Sequence, residues 1–239
     1  MIKYPILILH GWNLEGNRSY PLVNEFIKRG YQVMCPDLPG FGSTVINKSF
    51  NLDDYVKYVT LYLKKKKVNK IFLIGHSFGG RIGIKLAASH PEFLYGMILT
   101  GAPGFTPVPR IKVLFFIILA KIGKLIFSHP FIKSFKNNFQ KILYRLAKAT
   151  DYYNTKENMR ETFQNTVKEK LDGDMMQINV PTHLVWGRED LIVPLSIASK
   201  MSSVIKNSQL SVIDNGKHLV PITHVTEFAD ITEKFMSNL

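Results

Sequence analysis

Strand and helix signals alternate along this chain, and that alternation constrains its fold more than any other feature. Apolar runs at residues 5–9, 31–35, 71–74 and 96–100 are interleaved with helical patterns at 19–28, 52–65 and 79–89. Parallel strands need long crossovers, commonly helices, and the resulting sheet is covered on both faces. The rhythm resumes after Pro181 with strand patterns at 182–186 and 209–213, a helix at 195–204 and a closing helix near 223–236. Residues 102–180 break it and read as helix only. The expected fold is therefore α/β: a mostly parallel sheet of about six strands covered by helices, built from residues 1–101 and 181–239. An α-helical cap, or lid, is expected as an insertion at 102–180. With 239 residues such a chain removes about 70% of its unfolded surface from water, so no disulfide or metal staple is required.

Composition narrows the function classes. Hydrophobic residues at 46% and charged residues at 21% exclude a disordered or fibrous chain. The single cysteine, Cys35, cannot form an intramolecular disulfide, and its apolar neighbours Val33 and Met34 predict a buried, inert thiol. A reducing, cytoplasmic location fits that usage. The apolar run near the N-terminus is too short for a signal peptide, and the longest apolar run, 113–120, is far below the ~20 residues of a transmembrane helix. The formal charge is +13, but it comes from 24 Lys and only 7 Arg. Phosphate and groove readers favour the arginine fork, so no nucleic-acid partner is expected.

Nine of those basic residues (Arg110, Lys112, Lys121, Lys124, Lys133, Lys136, Lys141, Arg145 and Lys148) fall between residues 93 and 150, a stretch without Asp or Glu. Within it, residues 131–148 are amphipathic at helical spacing: Phe131, Phe135, Phe139, Ile142, Leu143 and Leu146 share one side, and Lys133, Lys141, Arg145 and Lys148 the other. Such a face fits an acidic carrier protein or an anionic membrane surface; the plainer alternative is a solvated face of a helix packed on its own domain. Phe115, Phe116 and Phe139 are candidate apolar lining for a substrate chamber.

Chemistry concentrates at Gly75-His76-Ser77-Phe78-Gly79-Gly80, a G-x-S-x-G placed directly after a strand and before a helix. The glycines permit a tight turn that exposes a strained serine, so Ser77 is the candidate nucleophile. A serine hydroxyl needs a base and an orienting carboxylate, which in strand-turn-helix hydrolases follow in the order Ser, acid, His. Asp190, after the strand at 182–186, is the candidate acid, with its neighbour Glu189 as rival. Among seven histidines, His10, His76, His90, His129 and His183 precede the acid, and His224 falls in the closing helix. His218 remains as the base. The loop at His10-Gly11-Trp12 can supply one backbone N–H to an oxyanion, and Phe78, after the nucleophile, the other.

At these positions the chain resembles the α/β-hydrolase superfamily, in its capped subgroup of small bacterial esterases and related hydrolases. His10-Gly11-Trp12, Asp37-Leu38-Pro39-Gly40-Phe41-Gly42, the Ser77 motif, Trp186-Gly187-Arg188-Glu189-Asp190 with Val193-Pro194, and Gly216-Lys217-His218 match the family's blocks in order. The resemblance implies Ser77, Asp190 and His218 as catalytic triad, the Trp12 and Phe78 N–H groups as oxyanion hole, residues 102–180 as cap, and no cofactor or metal. Only nine residues precede His10, so the family's first two strands are expected to be missing and the strand at 31–35 to be an edge. Some relatives carry the acid after the strand that here ends at Thr100; Gly101 and Ala102 stand there. Relatives that open epoxides or remove halide have Asp in place of Ser77.

The function so implied is a serine hydrolase cleaving a small-molecule carboxylic ester or thioester through an acyl-enzyme. Three alternatives share the sequence features: a carbon–carbon bond hydrolase with the same triad, a hydrolase-fold ligand sensor with slow turnover, and an adaptor built on the basic cap.

Overall fold

The computed structural model describes residues 4–14, 20–105 and 157–239. Six strands, β1 (Ile6–Leu9), β2 (Val33–Met34), β3 (Ile71–His76), β4 (Leu94–Thr100), β5 (Thr182–Gly187) and β6 (Ser208–Ile213), form one sheet in the order β2-β1-β3-β4-β5-β6. Every pairing is parallel. Successive strand residues enter opposite layers, as the period of two requires. Leu7, Leu9, Leu73, Met97, Leu99, Leu184 and Trp186 pack into one core. Ile6, Ile8, Phe72, Ile74, Ile98, Val185 and Ile213 pack into the other. Burial on both faces is why these strands read as continuous apolar runs rather than as alternation.

Helices α2 (Leu52–Lys65), α3 (Phe78–Ser89), α5 (Asp172–Gln177) and α6 (Leu195–Val204) cover the first face through Tyr55, Val59, Leu86, Met175 and Met201. Helices α1 (Tyr20–Lys28) and α8 (Val225–Ser237) cover the second through Leu22, Phe26, Phe228 and Phe235. The short α7 (Val220–Thr223) precedes α8. Helix α2 starts where Asn51 and Asp54 form a reciprocal capping box, and it ends in Lys64 and Lys65, the signs that suit its dipole. Arg29, just past α1, ties that helix to α8 through Asp230 at 2.7 Å and Glu233 at 2.6 Å.

Two expectations need correcting. The edge strand is two residues long rather than five, because an edge strand has a single pairing partner and Pro36 lacks the N–H to prolong the ladder. Cys35 lies just beyond its end and is half-buried rather than buried. Among the described residues no helix is long and apolar enough to cross a membrane.

Of segment 102–180, residues 102–105 and 157–180 are described, the latter carrying α4 (Glu157–Lys168) and α5. The apolar run 113–120, the basic helix 131–148, all nine basic residues and Phe115, Phe116 and Phe139 lie outside the described residues. What is described is held to α3. The buried Arg81 guanidinium donates to the carbonyls of Pro103, Thr166 and Glu169, so one side chain grips both ends of the segment. Four residues on, Lys85 bonds Glu169 at 2.6 Å.

The chain passes from β1 outward to β2 and then returns to place β3 on the opposite flank of β1. That reversal makes the carboxyl ends of β1 and β3 a topological switch point, the place where open parallel sheets present their sites. The β1 loop carries His10-Gly11-Trp12, and the β3 loop carries Ser77.

Candidate active site

Ser77 sits in the turn between β3 and α3 at φ 51° and ψ −111°, a conformation a residue with a side chain rarely adopts. Its N–H donates to the Thr100 carbonyl at 2.9 Å, and its own carbonyl accepts from Gly80 and Arg81. The neighbouring Gly79 N–H donates to the His10 carbonyl at 3.1 Å. A Cβ at Gly79 would stand 2.1 Å from the Leu9 carbonyl oxygen, so only glycine lets α3 begin this close to β1.

His218, on the loop after β6, reaches both candidate partners. Its Nε2 is 3.0 Å from Ser77 Oγ, and its Nδ1 is 2.8 Å from Asp190 Oδ2. A carboxylate only accepts, so Nδ1 carries the proton and Nε2 is free to accept from the serine hydroxyl. Asp190 itself is fixed, since its Oδ1 accepts the N–H groups of Ile192 at 2.8 Å and Val193 at 2.9 Å. The Asp190 side chain is 1% exposed and that of His218 12%. A hydroxyl, an imidazole and a buried carboxylate in this order can move a proton off the serine and stabilise the imidazolium that results.

Glu189 points to solvent, and its backbone N–H holds the Gly216 carbonyl at 2.8 Å. It braces the loop that carries His218, while its neighbour Asp190 meets the ring. Gly101 has φ +56°, and a Cβ there would lie 2.8 Å from His218 Cε1, so the position some relatives use for the acid is here a seat for the imidazole. Asp37 receives the N–H and hydroxyl of Ser43, which closes the 37–42 turn.

The remaining histidines have other partners. His10 accepts from Leu38 N–H through Nε2 at 3.0 Å and meets the Gly11 carbonyl through Nδ1 at 2.9 Å. His183 bonds Ser211, and burial pushes its protonation down to about 4. His90 faces Glu92. His224 bonds Thr223 and lies one residue before α8 rather than inside it. His129 lies outside the described residues. His76 Nε2 is 2.9 Å from the His218 carbonyl oxygen.

The Gly11 carbonyl also accepts from Leu14 N–H at 3.1 Å. In a trans peptide the carbonyl and the following N–H point opposite ways, so these bonds turn the Trp12 N–H away from His10. The Phe78 N–H is the first of α3, at the positive end of its dipole. Among the described residues neither N–H is taken by a backbone hydrogen bond. The Trp12 and Phe78 rings meet edge to face at 5.1 Å, with Phe41 and Phe163 against Trp12 at 5.0 Å each. Phe163 comes from α4, and no periodicity or motif in the sequence assigns it to this cluster.

The chain has relatives among proteins of known activity. It is 23% identical over 249 residues, 95% of this chain and 82% of the relative, to 2-hydroxy-6-oxononadienedioate/2-hydroxy-6-oxononatrienedioate hydrolase of Cupriavidus pinatubonensis. It is 27% identical over 261 residues, 99% of this chain and 76% of the relative, to monoacylglycerol lipase ABHD6 of Bos taurus. Among solved structures, bromoperoxidase from Bacillus anthracis superposes with a TM-score of 0.77 at 20% identity, covering 99% of this chain and 92% of that one, a likeness of fold. Residues 2–222 match the family described as serine aminopeptidase, S33. With the match running over most of the chain, this protein is a hydrolase of the α/β-hydrolase superfamily and belongs to the serine aminopeptidase S33 family.

Proposed function

We propose that the protein is a serine hydrolase acting on a small carboxylic ester or thioester through an acyl-enzyme at Ser77. The observation that carries this reading is the unbroken hydrogen-bond chain from Ser77 through His218 to Asp190, at 3.0 and 2.8 Å. Ser77 Oγ attacks the substrate carbonyl carbon as its proton passes to His218 Nε2. The carbonyl oxygen takes the negative charge and is held by the Trp12 and Phe78 N–H groups, each worth about 3 to 4 kcal/mol to the transition state. Collapse breaks the bond to the alkoxide or thiolate, which leaves with the proton from His218. Water then adds to the acyl group, gives a proton to His218, and releases the carboxylic acid and Ser77. Segment 102–180 is assigned the role of cap over Ser77, with Phe163 against Trp12 as one of its described contacts.

A second reading is a carbon–carbon bond hydrolase using the same three side chains. The relative from Cupriavidus pinatubonensis, named for a hydroxy-oxo-dienedioate substrate, favours keeping it. The family name adds amide cleavage to the panel. The test is labelling by a fluorophosphonate, followed by turnover of short and long acyl esters, an acyl thioester, a 2-hydroxy-6-oxo-2,4-dienoate and an aminoacyl anilide. Labelling that disappears in Ser77→Ala, with ester or thioester turnover highest, is the expected result. An unlabelled wild type would favour a sensor or adaptor and end the reading; preference for the dienoate would move it to the second.

A further inference from the structure

We propose that His76 is a positioning residue that sets the height of His218 over Ser77 by gripping the His218 main chain. This inference rests on the serine-hydrolase reading above. His218 is held at its ring by Asp190, but a ring hydrogen bond fixes only the far end of a side chain that turns about its own χ angles. Its backbone sits on a loop after β6, and something must hold that loop against the elbow. His76 Nε2, 2.9 Å from the His218 carbonyl oxygen, makes that connection across 142 positions of sequence.

The geometry settles the protonation of the grip. A carbonyl oxygen only accepts, so His76 carries its proton on Nε2, the reverse of the tautomer at His218. The two rings lie 5.1 Å apart at 51°, and a Cβ at Gly11 would come within 2.9 Å of His76 Nδ1. The ring is thus wedged between the loop that presents the Trp12 N–H and the loop that presents His218. It spaces donor and base from the last residue of β3, which leads directly into Ser77. Side chains on a strand are held more firmly than those on a loop, and here the strand residue supports the loop residue.

A charge at this place would harm the reaction, because His218 becomes cationic as Ser77 attacks. His76 is buried at 4% exposure, and burial first, with the nearby His218 second, pushes its protonation down to about 3. The other titratable groups that act on it are Asp190 and His10. His76 therefore stays neutral at the pH values of the assay while His218 takes and returns the serine proton.

The test compares His76→Gln, whose amide nitrogen can replace the Nε2 donor, with His76→Leu, which has none. The readouts are kcat and KM on a short soluble ester from pH 5 to 9, and the rate of fluorophosphonate labelling of Ser77. His76→Leu is expected to lower kcat and labelling by roughly 10- to 100-fold while KM stays within about twofold, since a misplacement near 1 Å costs about that much. His76→Gln is expected to recover most of the loss. A folded His76→Leu with kcat within about twofold of wild type overturns the proposal, as does His76→Gln equally impaired. Should His76→Leu fail to fold, nitrogen NMR of the wild type decides. A neutral Nε2–H imidazole at His76 from pH 5 to 8 supports the grip, and an Nδ1–H or a titrating ring overturns it. That spectrum is independent of turnover, so a wild type that hydrolyses no substrate would defeat the hydrolase reading without being mistaken for a failure at His76.

Discussion

Ser77 shows how a single residue is held against its own preference. At φ 51° and ψ −111° it gives up about 1 to 3 kcal/mol of backbone energy so that its hydroxyl faces His218. Glycine carries no such penalty. Ser77→Gly is therefore expected to be about 1 kcal/mol more stable than Ser77→Ala in urea denaturation, with both variants losing ester turnover; equal midpoints would mean the turn is unstrained. The acid makes a second comparison. Asp190→Asn puts an amide where the imidazole N–H needs an acceptor and disturbs the pair of backbone bonds from Ile192 and Val193. A drop in kcat of roughly 10³- to 10⁴-fold is expected, as for a triad with the wrong tautomer. Glu189→Gln leaves its backbone bond to Gly216 in place and should change kcat by less than about twofold. Steady-state kinetics of the two variants reads the difference directly.

Helix α3 does two jobs at once. Its first turn both closes the elbow and carries Arg81, whose guanidinium serves Pro103 and the carbonyls at the C-terminal end of α4. Helix ends leave four carbonyls without intrahelical partners, and a cation there also complements the dipole. Burial pushes Arg81 down to about 10, so it remains charged at neutral pH. Arg81→Met is expected to destabilise the fold by about 3 kcal/mol, since buried carbonyls lose donors worth about 1 to 3 kcal/mol each and water recovers part of that. Arg81→Lys should recover little, because an ammonium cannot span three carbonyls as a planar fork does. Lys85→Met, which removes bonds nearer the surface, should cost about 1 kcal/mol or less. Chemical denaturation of the three variants ranks them; a Lys85 effect as large as that of Arg81 would place the anchorage in the ion pairs instead.

Taken over the whole fold, two buried histidines make stability depend on pH. His76 and His183 are held neutral, down to about 3 and about 4, whereas an unfolded histidine takes up a proton near 6.5. Between those limits the unfolded chain binds more protons than the folded one, so stability rises with pH through the window. It is fully present above about pH 6.5 and is lost as pH falls toward 4 and then 3, by at most about 1.4 kcal/mol per pH unit for each histidine. The urea midpoint should therefore fall from pH 6.5 to pH 5, a range in which unperturbed carboxylates stay ionised. His183→Gln should flatten that slope. A midpoint constant over this range would contradict burial of the two rings.

How much of this is legible in the sequence follows from which interactions are local. Strands buried on both faces must be continuous apolar runs, and a serine elbow must sit between a strand and a helix, so sheet, order of elements and Ser77 could be read from short windows. The order Ser77, Asp190, His218 comes from the resemblance to the α/β-hydrolase blocks rather than from any short window. The preference for Asp190 over Glu189 rests on the matched motif; that the Asp190 side chain meets His218 while Glu189 is exposed is a difference made by packing, which turns adjacent residues of one loop opposite ways. The two-residue length of β2 depends on its lying at an edge beside Pro36. Phe163 against Trp12, Arg81 on three distant carbonyls and His76 on His218 left no periodic or spacing signal at all. Local chemistry writes a pattern into neighbouring residues, whereas a hydrogen bond between positions 76 and 218 exists only after β3, β6 and their loops have been brought to the same edge of one sheet.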